Sequence, residues 1–547
     1  MRRSPLLVVL GLFALAIAVP LTVNQLRSGS PSGSPSAIGE PAVSATPGRA
    51  AGTPFSTASP GTVVSPAPAT PAPTDRPLGD VAIVPVTHFR ATVDQTTRTE
   101  VAAVLAGTSK RYEALELVVA EADAILAALG VERPVDPARL IVAPDAASLA
   151  RDLATSRKRL AFMRADAVGP GVRALAWAGR SLFGVDRVKK VADWALTARL
   201  PEPTEDGAFD PAATWTMFAG GDILLDRGVY QTIRIKGKGV DFPFDGGSAE
   251  ITGHTCCSQF GWKVPITRRT GGAGAVRELM TKADLAIANF ENPAPDVFRW
   301  HTSGTTFSAD PRIIDGLERA GIDYVSLANN HIGDAGRIGV LQTIANLDKR
   351  GIKHSGAGKD LKAARRPGML EANGTKVAIL AYDAIAGYYN AGREKTGSAP
   401  LKGGFVKSDI EKARAAGAEV VIVFPHWGAE YQAKPFESQQ RLARQIVEAG
   451  ADMVIGNHAH WAAALEIHEG APIWYALGNF VFDQTWSEPT MEGITLELTF
   501  DGAELVQARM RPHIIVDKAQ PNFMDPTGDG RVVMGQVYGA SRGLLPW

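Results

Sequence analysis

One unit recurs along the middle of this chain and narrows what it can fold into: a helical run, a short turn with an acid, an apolar strand, then a polar cluster. RIIDGLERAG leads through Asp323 into YVSLANNH, KARAAGAE leads into VVIVFPHWG, and QRLARQIVEAGAD leads into MVIGNHAH. The Ala-Gly turns at Ala320, Ala416 and Ala449 are followed at offsets of eleven, ten and eleven residues by His331, His426 and His460. Two further apolar strands, TWTMFAGGD and LAIANFEN, end on Asp222 and on Asn289 and Glu291. Alternating helices and strands predict a layered α/β sheet. In such folds ligands bind beyond the carboxyl ends of the strands. Five strand ends therefore carry Asp, Glu, Asn or His to one rim.

That donor set decides the expected chemistry. Carboxylate and amide oxygens with imidazole nitrogens, and no thiolate, suit Mn, Zn or Fe better than Ca. One or two divalent cations are expected; a pair about 3.5–4 Å apart acidifies water between them and holds both oxygens of an in-line displacement. His458 and His460 are the hardest to explain otherwise, because paired imidazoles are costly to bury unligated. The others each have an ordinary structural alternative. Asp222, Asn289 and Glu291 suit turn or cap positions, Asn329 or Asn330 suits an Asx-turn, and His426 suits a backbone-bonded core histidine. Arg227 is a candidate contact for an anionic substrate, or one half of a salt bridge. His88, His254, His301, His354, His468 and His513 lack strand-end placement and read as structural or surface residues.

Composition removes other classes. Lys plus Arg and Asp plus Glu both number 57, so the net charge is zero. That balance argues against nucleic acid or an acidic lipid surface as the main partner. The two cysteines, Cys256 and Cys257, are neighbours, which excludes a disulfide scaffold and a thiolate zinc site.

The remaining chain reads as follows. Arg2 and Arg3 precede an apolar stretch from Leu6 to Val23, so residues 1–27 form an N-terminal anchor or signal segment. We read it as an uncleaved single-pass anchor that leaves the bulk of the chain outside the cytoplasm; a cleaved signal would make the protein secreted. Residues 28–78 are rich in Pro, Ser, Ala and Thr and predict a disordered tether. Residues 79–205 predict a small α/β domain, loosely similar to substrate-binding proteins. Within it VAIVPV reads as a strand, LELVVAEADAILAALG has helical spacing, and LIVAPDAASLARDLA reads as strand, turn, helix. The Pro- and acid-rich run Pro201 to Ala212 is a boundary before a domain at 212–515, and 516–547 reads as a Gly-rich tail.

The motifs GGDILLDRG, LAIANFENP, VSLANNHIGDAG, PHWGAEY, GADMVIGNHAH and YALGNFVFD occur in this order from Thr214 to Asp483. In that order they resemble the CapA family of poly-γ-glutamate capsule synthesis, which is related to calcineurin-like metallophosphoesterases. The resemblance implies a layered metallophosphoesterase-like α/β sandwich. It implies Asp222, Glu291, Asn330, His426, His458 and His460 as metal ligands, with His331 as the catalytic histidine. The phosphoesterase pattern opens on Asp-x-His, whereas Leu224 follows Asp222 here, and Glu291 stands where an Asp is usual. One metal position therefore loses an imidazole. The implied function is biosynthesis or export of an anionic capsule polymer by a metal-dependent hydrolase-type site. A phosphate- or carboxylate-bearing substrate and a membrane synthase complex are the implied partners. The alternative is a non-catalytic polymer-binding scaffold of such a complex; a third reading gives residues 81 to 200 a solute-binding role.

Overall fold

The computed structural model describes residues 76–204 and 207–545. The expected anchor and most of the expected tether lie outside the described residues. Among the described residues, no helix is long and apolar enough to cross a membrane.

Residues 78–201 build a sheet of their own. Its strands run in the order Leu140–Ala143, Ala114–Val118, Arg159–Arg164, Leu78–His88 and Val172–Ala174, with Thr197–Pro201 paired to Leu78–His88. Helices Arg98–Leu105, Ala122–Leu129 and Ala146–Thr155 share one apolar cluster with these strands through Val101, Val104, Ile125, Leu126, Leu149 and Leu153. The run LELVVAEADAILAALG departs from its helical spacing. It divides into the strand Ala114–Val118 and the helix Ala122–Leu129. All five strand residues are buried, between two parallel neighbours, and a fully covered strand takes a continuous apolar run in preference to an amphipathic one.

From Thr214 onward the chain forms two stacked sheets. The larger has the order Val264–Gly271, Ser248–Thr255, Gln520–Phe523, Glu504–Val516, Glu492–Asp501, Thr214–Ile223, Leu285–Phe290, Tyr324–Ser326, Lys353–Ser355, and Asn479–Val481 also pairs with Thr214–Ile223. The smaller has the order Gly368–Ala372, Thr375–Asp383, Val420–His426, Met453–Ile455, Ala471–Trp474, Leu465–His468. Period-two alternation sorts their side chains into layers. Met217, Ala219, Ile287, Ile422 and Phe424 point into the core between the sheets. Phe218, Ala286 and Ala288 face helices Ala275–Lys282, Ile314–Arg319 and Gly336–Asp348, whereas Val421 and Val423 face Gly403–Ala415 and Glu437–Glu448. The result is helix, sheet, sheet, helix. Trp215 stacks on Phe500 in the inter-sheet core with ring centroids 4.0 Å apart, and its indole N–H donates to the Gly502 carbonyl.

Three further features bear on the sequence reading. The chain after Val516 stays in the fold: Gln520–Phe523 is a strand of the larger sheet, and Val533, Met534 and Val537 of helix Gly530–Ala540 enter the inter-sheet core. Cys256 and Cys257 are joined by a disulfide at the tip of the hairpin formed by Ser248–Thr255 and Val264–Gly271. Because the bridge links chain neighbours, it crosslinks no separate elements and provides no scaffold. Finally, the Gln507 side chain takes the place of a strand beside Val172–Ala174, accepting from Ala174 N at 2.7 Å and donating to Val172 O at 3.0 Å. It satisfies an edge that would otherwise present unpaired backbone groups.

Candidate metal centre

The site lies where the carboxyl ends of strands from both sheets meet. Thr214–Ile223 carries Asp222, and its parallel neighbour Leu285–Phe290 places Asn289 opposite Asp222. Glu291 follows at once, its backbone N–H donating to Ile223 O at 2.8 Å. From the smaller sheet, Val420–His426 ends on His426, and Met453–Ile455 leads into the loop with His458 and His460. Two motifs lock together at the first strand. Asp222 N donates to Gly478 O at 3.1 Å, and Asn479 lies opposite Asp222. A Cβ at Gly221 would collide with that same carbonyl, so glycine is required for the approach. His458 and His460 both adopt left-handed backbone, with φ of 90° and 56°. Each costs on the order of 1–3 kcal/mol that the surrounding packing must offset.

Two donor groups share one carboxylate. Asp222, Glu291 and His426 present ligand atoms within 4.8 Å of one another, and so do Glu291, His458 and His460. Oε1 of Glu291 lies 3.6 Å from His426 Nε2 and 3.7 Å from His460 Nε2. His458 Nδ1 is 3.1 Å from His426 Nε2, and His460 Nδ1 is 3.4 Å from Asp222 Oδ2. The Asn330 Oδ1 lies 2.8 Å from His426 Nε2, which puts the sixth expected ligand at the same point. Asn289 spans the floor, its Nδ2 donating to Asp222 Oδ1 at 2.7 Å and lying 3.3 Å from His426 Nδ1.

The electrostatics fit a cation. Both carboxylate oxygens of Glu291 are buried without a hydrogen-bond partner, a state that costs several kcal/mol for a charged group unless an ion completes it. Burial, then the nearby Asp222 and Glu430, hold the Glu291 carboxyl well above the usual carboxylate range. Burial, reinforced by the neighbouring imidazoles, pushes His426 well below its ordinary value and His458 down to about 3. Neutral imidazoles with free lone pairs are the form that ligates. The donors are oxygen and nitrogen only. This set fits one or two borderline divalent ions.

His331 stands beside the cluster with its own support. Its Nε2 lies 2.9 Å from Asn330 Nδ2 and its Nδ1 lies 2.9 Å from Asp334 Oδ2. Asp334 is fixed in turn by Phe307 N at 2.8 Å and by the Tyr389 hydroxyl at 3.1 Å. Phe307 covers the imidazole with ring centroids 4.1 Å apart. On the other side of Phe307 sits Arg227, its guanidinium 4.7 Å from the ring centroid. Arg227 is also bound by Asp483 at 2.5 and 3.1 Å and donates to Gly304 O at 2.8 Å. Arg227 thus makes the salt bridge that was one of its two readings.

Sequence reasoning left out three groups that shape this centre. Asn479 Oδ1 lies 2.9 Å from His460 Nδ1, while its amide nitrogen donates to Gln484 Oε1 and Thr490 O, which fixes which way the amide faces. His513 Nε2 contacts the Asn479 carbonyl at 2.8 Å from behind. Asp334 is the third. Asn479 and Asp334 both lie inside motifs quoted above, GNF and NHIGD, and their partners were visible only in three dimensions. Beside His460 the rim is aromatic: Tyr431 lies 6.2 Å from the His460 ring, with Trp461, Trp262 and Trp486 within 6.0–6.4 Å of Tyr431. Leu224, where the phosphoesterase pattern has an imidazole, is fully buried with Phe307, Phe482 and Ile515.

Residues 216–484 match the family described as bacterial capsule synthesis protein PGA_cap. The chain is 32% identical over 220 residues to the capsule biosynthesis protein CapA of Bacillus anthracis, covering 39% of this chain and 54% of that protein. It is 31% identical to the PGA biosynthesis protein CapA of Bacillus subtilis (strain 168), covering 39% of this chain and 57% of that protein. The chain thus spans little more than half the length of these two relatives. A probable polyglutamine synthesis accessory protein of Mycobacterium tuberculosis is 27% identical over 294 residues, 49% of this chain and 74% of that one. Among solved structures, the calcineurin-like phosphoesterase YfkN of Bacillus subtilis is similar at 14% identity and a TM-score of 0.32, over 60% of this chain and 97% of that chain.

Proposed function

We propose, from the match of residues 216–484 to the bacterial capsule synthesis family PGA_cap, that this protein acts in the biosynthesis or export of an anionic capsule polymer such as poly-γ-glutamate, through a divalent-metal hydrolase-type site. In this reading the N-terminal segment anchors the chain and the site works outside the cytoplasm, beside a membrane synthase complex. The observation that carries the proposal is Glu291, fully buried with neither carboxylate oxygen bonded, amid Asp222, His426, His458 and His460.

Asp222, Glu291 and His426, with Asn330 beside His426, would hold one ion, and Glu291, His458 and His460 a second. Bound divalent ions there supply Lewis acidity and neutralise charge that develops on a phosphoryl or acyl oxygen. The chain's own residues do the rest. Asn479 fixes the ring plane and tautomer of His460 so that Nε2 faces Glu291. Asp334 holds His331 by Nδ1, leaving Nε2 turned to the cluster, where it would hand a proton to the leaving group. The Phe307 ring and the Arg227–Asp483 pair close that side against water.

Leu224 favours one competing reading, a polymer-binding scaffold whose metal is structural, because its side chain cannot ligate. The test is metal analysis of the full-length protein in detergent, wild type against Glu291→Ala, with a screen of a chromogenic phosphodiester and a γ-glutamyl amide. We expect bound Mn, Zn or Fe in the wild type, loss of metal in the variant, and turnover of one substrate class. Metal without turnover of either substrate favours the scaffold.

A further inference from the structure

Away from the metal centre, a cavity of about 640 Å³ opens between helices Leu361–Ala364 and Gly403–Ala415. Lys362, Arg365, Arg366, Arg393 and Lys412 line it, against the carboxylates of Asp360 and Asp409. Both carboxylates are already engaged. Asp409 accepts two hydrogen bonds from Arg365, at 2.7 and 2.8 Å, and one from the Tyr382 hydroxyl. Asp360 caps its helix through Ala363 N at 2.7 Å. Lys362, Arg366 and Arg393 consequently have no ion-pair partner among the described residues, and Lys412 reaches Asp409 only at 3.5 Å. In a chain of zero net charge, this is a local excess of cations around a concave surface. One wall is rigid, since Arg365 is held both by Asp409 and over the Phe405 ring, 3.9 Å from its centroid.

The cavity is tied to the catalytic side by one loop. At one end Tyr389 donates to Asp334, the carboxylate that holds His331. At the other end Gly392 O accepts from Leu361 N at the start of the cavity helix, and Arg393 follows. Arg393 follows Tyr389 by four positions, at most about 14 Å of extended chain. A ligand carrying one anionic group would use the cavity or the metal centre. A ligand carrying a row of them would use both.

We propose that this cavity is a second binding site for a polycarboxylate chain, holding anionic groups of the polymer beside the loop that leads to His331. The assignment rests on the reading of the protein as a capsule-polymer factor and adds to it where the chain is gripped. Guanidinium and ammonium groups spaced around a groove match carboxylates repeated along a flexible chain, and such binding weakens with salt.

The test is binding of poly-γ-glutamate to the full-length protein at low and high salt, comparing wild type with the triple variant Lys362→Glu, Arg366→Glu, Arg393→Glu, and with the milder triple change to Gln. We expect polymer affinity to fall at least tenfold in the Glu variant and by a smaller factor in the Gln variant, with a flatter salt dependence. Metal content, the melting midpoint and turnover of a small chromogenic substrate should stay as in the wild type. Polymer affinity unmoved by either triple change overturns the proposal, as does displacement of the polymer by inorganic phosphate at an equal concentration of anionic groups. Metal-dependent turnover absent while polymer binding remains sensitive to the triple change supports this site and counts against the catalytic reading alone.

Discussion

The Nε2 of His426 lies 3.1 Å from the Nδ1 of His458, and burial keeps both rings neutral. Two imidazoles facing nitrogen to nitrogen share at most one proton, so a lone pair is left pointing into the cluster. A cation is what that arrangement accommodates. Chelation should therefore lower the melting midpoint of the full-length protein, and Mn or Zn should restore it. An ion at a hundred times its dissociation constant adds about 2.7 kcal/mol to the folded state. Differential scanning calorimetry with and without chelator reads this directly; a midpoint indifferent to both chelator and added metal would remove the metal centre.

Among the described residues the His460 ring has one hydrogen-bond partner, Asn479, whose own amide is fixed by Gln484 and Thr490. Asn479→Ala should free the ring and weaken metal affinity about 10–100-fold while leaving the fold intact. Competition against a fluorescent chelator measures it. Unchanged affinity would mean that His460 is held by packing against Phe482 instead.

His331 and Asp334 should behave as a unit. His331→Ala is expected to lower kcat about 100-fold or more on whichever chromogenic substrate is turned over. Asp334→Asn should reproduce much of that loss, since it removes the negative charge beside Nδ1 and leaves one acceptor oxygen where two serve His331, Phe307 and Tyr389. Metal content should not change in either variant. Loss of metal together with activity would reassign His331 to the ligand set.

Glu497 sets an acid limit on stability. Burial pushes against ionisation, yet Arg511 and Arg509, with the backbone N–H of Val185, draw its carboxyl down to about 2. The folded value lies below that of the unfolded chain, so the stability it contributes is present above about pH 4.5 and is lost as pH falls toward 2. The stabilisation is on the order of 3 kcal/mol at neutral pH. Glu497→Gln should destabilise at pH 7 and flatten the pH dependence between 4.5 and 2. Urea midpoints measured across that range decide it; parallel curves for wild type and variant would contradict the assignment.

The polar side chains at the ends of apolar strands were legible from the chain alone. Asp222, Glu291, His426, His458 and His460 follow buried strands at regular spacing, and strands of one parallel set end at one edge. Asn330 and His331 follow Tyr324–Ser326 in the same way. The run LELVVAEADAILAALG was ambiguous for the opposite reason. An apolar stretch has the same composition whether it is a covered strand or a helix, and only its neighbours Leu140–Ala143 and Arg159–Arg164 make Ala114–Val118 extended.

The local pattern of the sequence determined which residues stand at strand ends, because hydrophobic periodicity and turn chemistry act within a few residues. Which sheet each strand joins was decided only by tertiary packing. Thr214–Ile223 and Leu285–Phe290 enter the larger sheet, Val420–His426 and Met453–Ile455 the smaller, and the donors face each other across the seam. That seam buries Glu291 without a hydrogen bond 3.7 Å from His460, 169 positions away in sequence, and brings Asn479 against His460, 19 positions away. Contacts of this kind depend on the summed burial of two whole sheet faces, which no window of sequence contains.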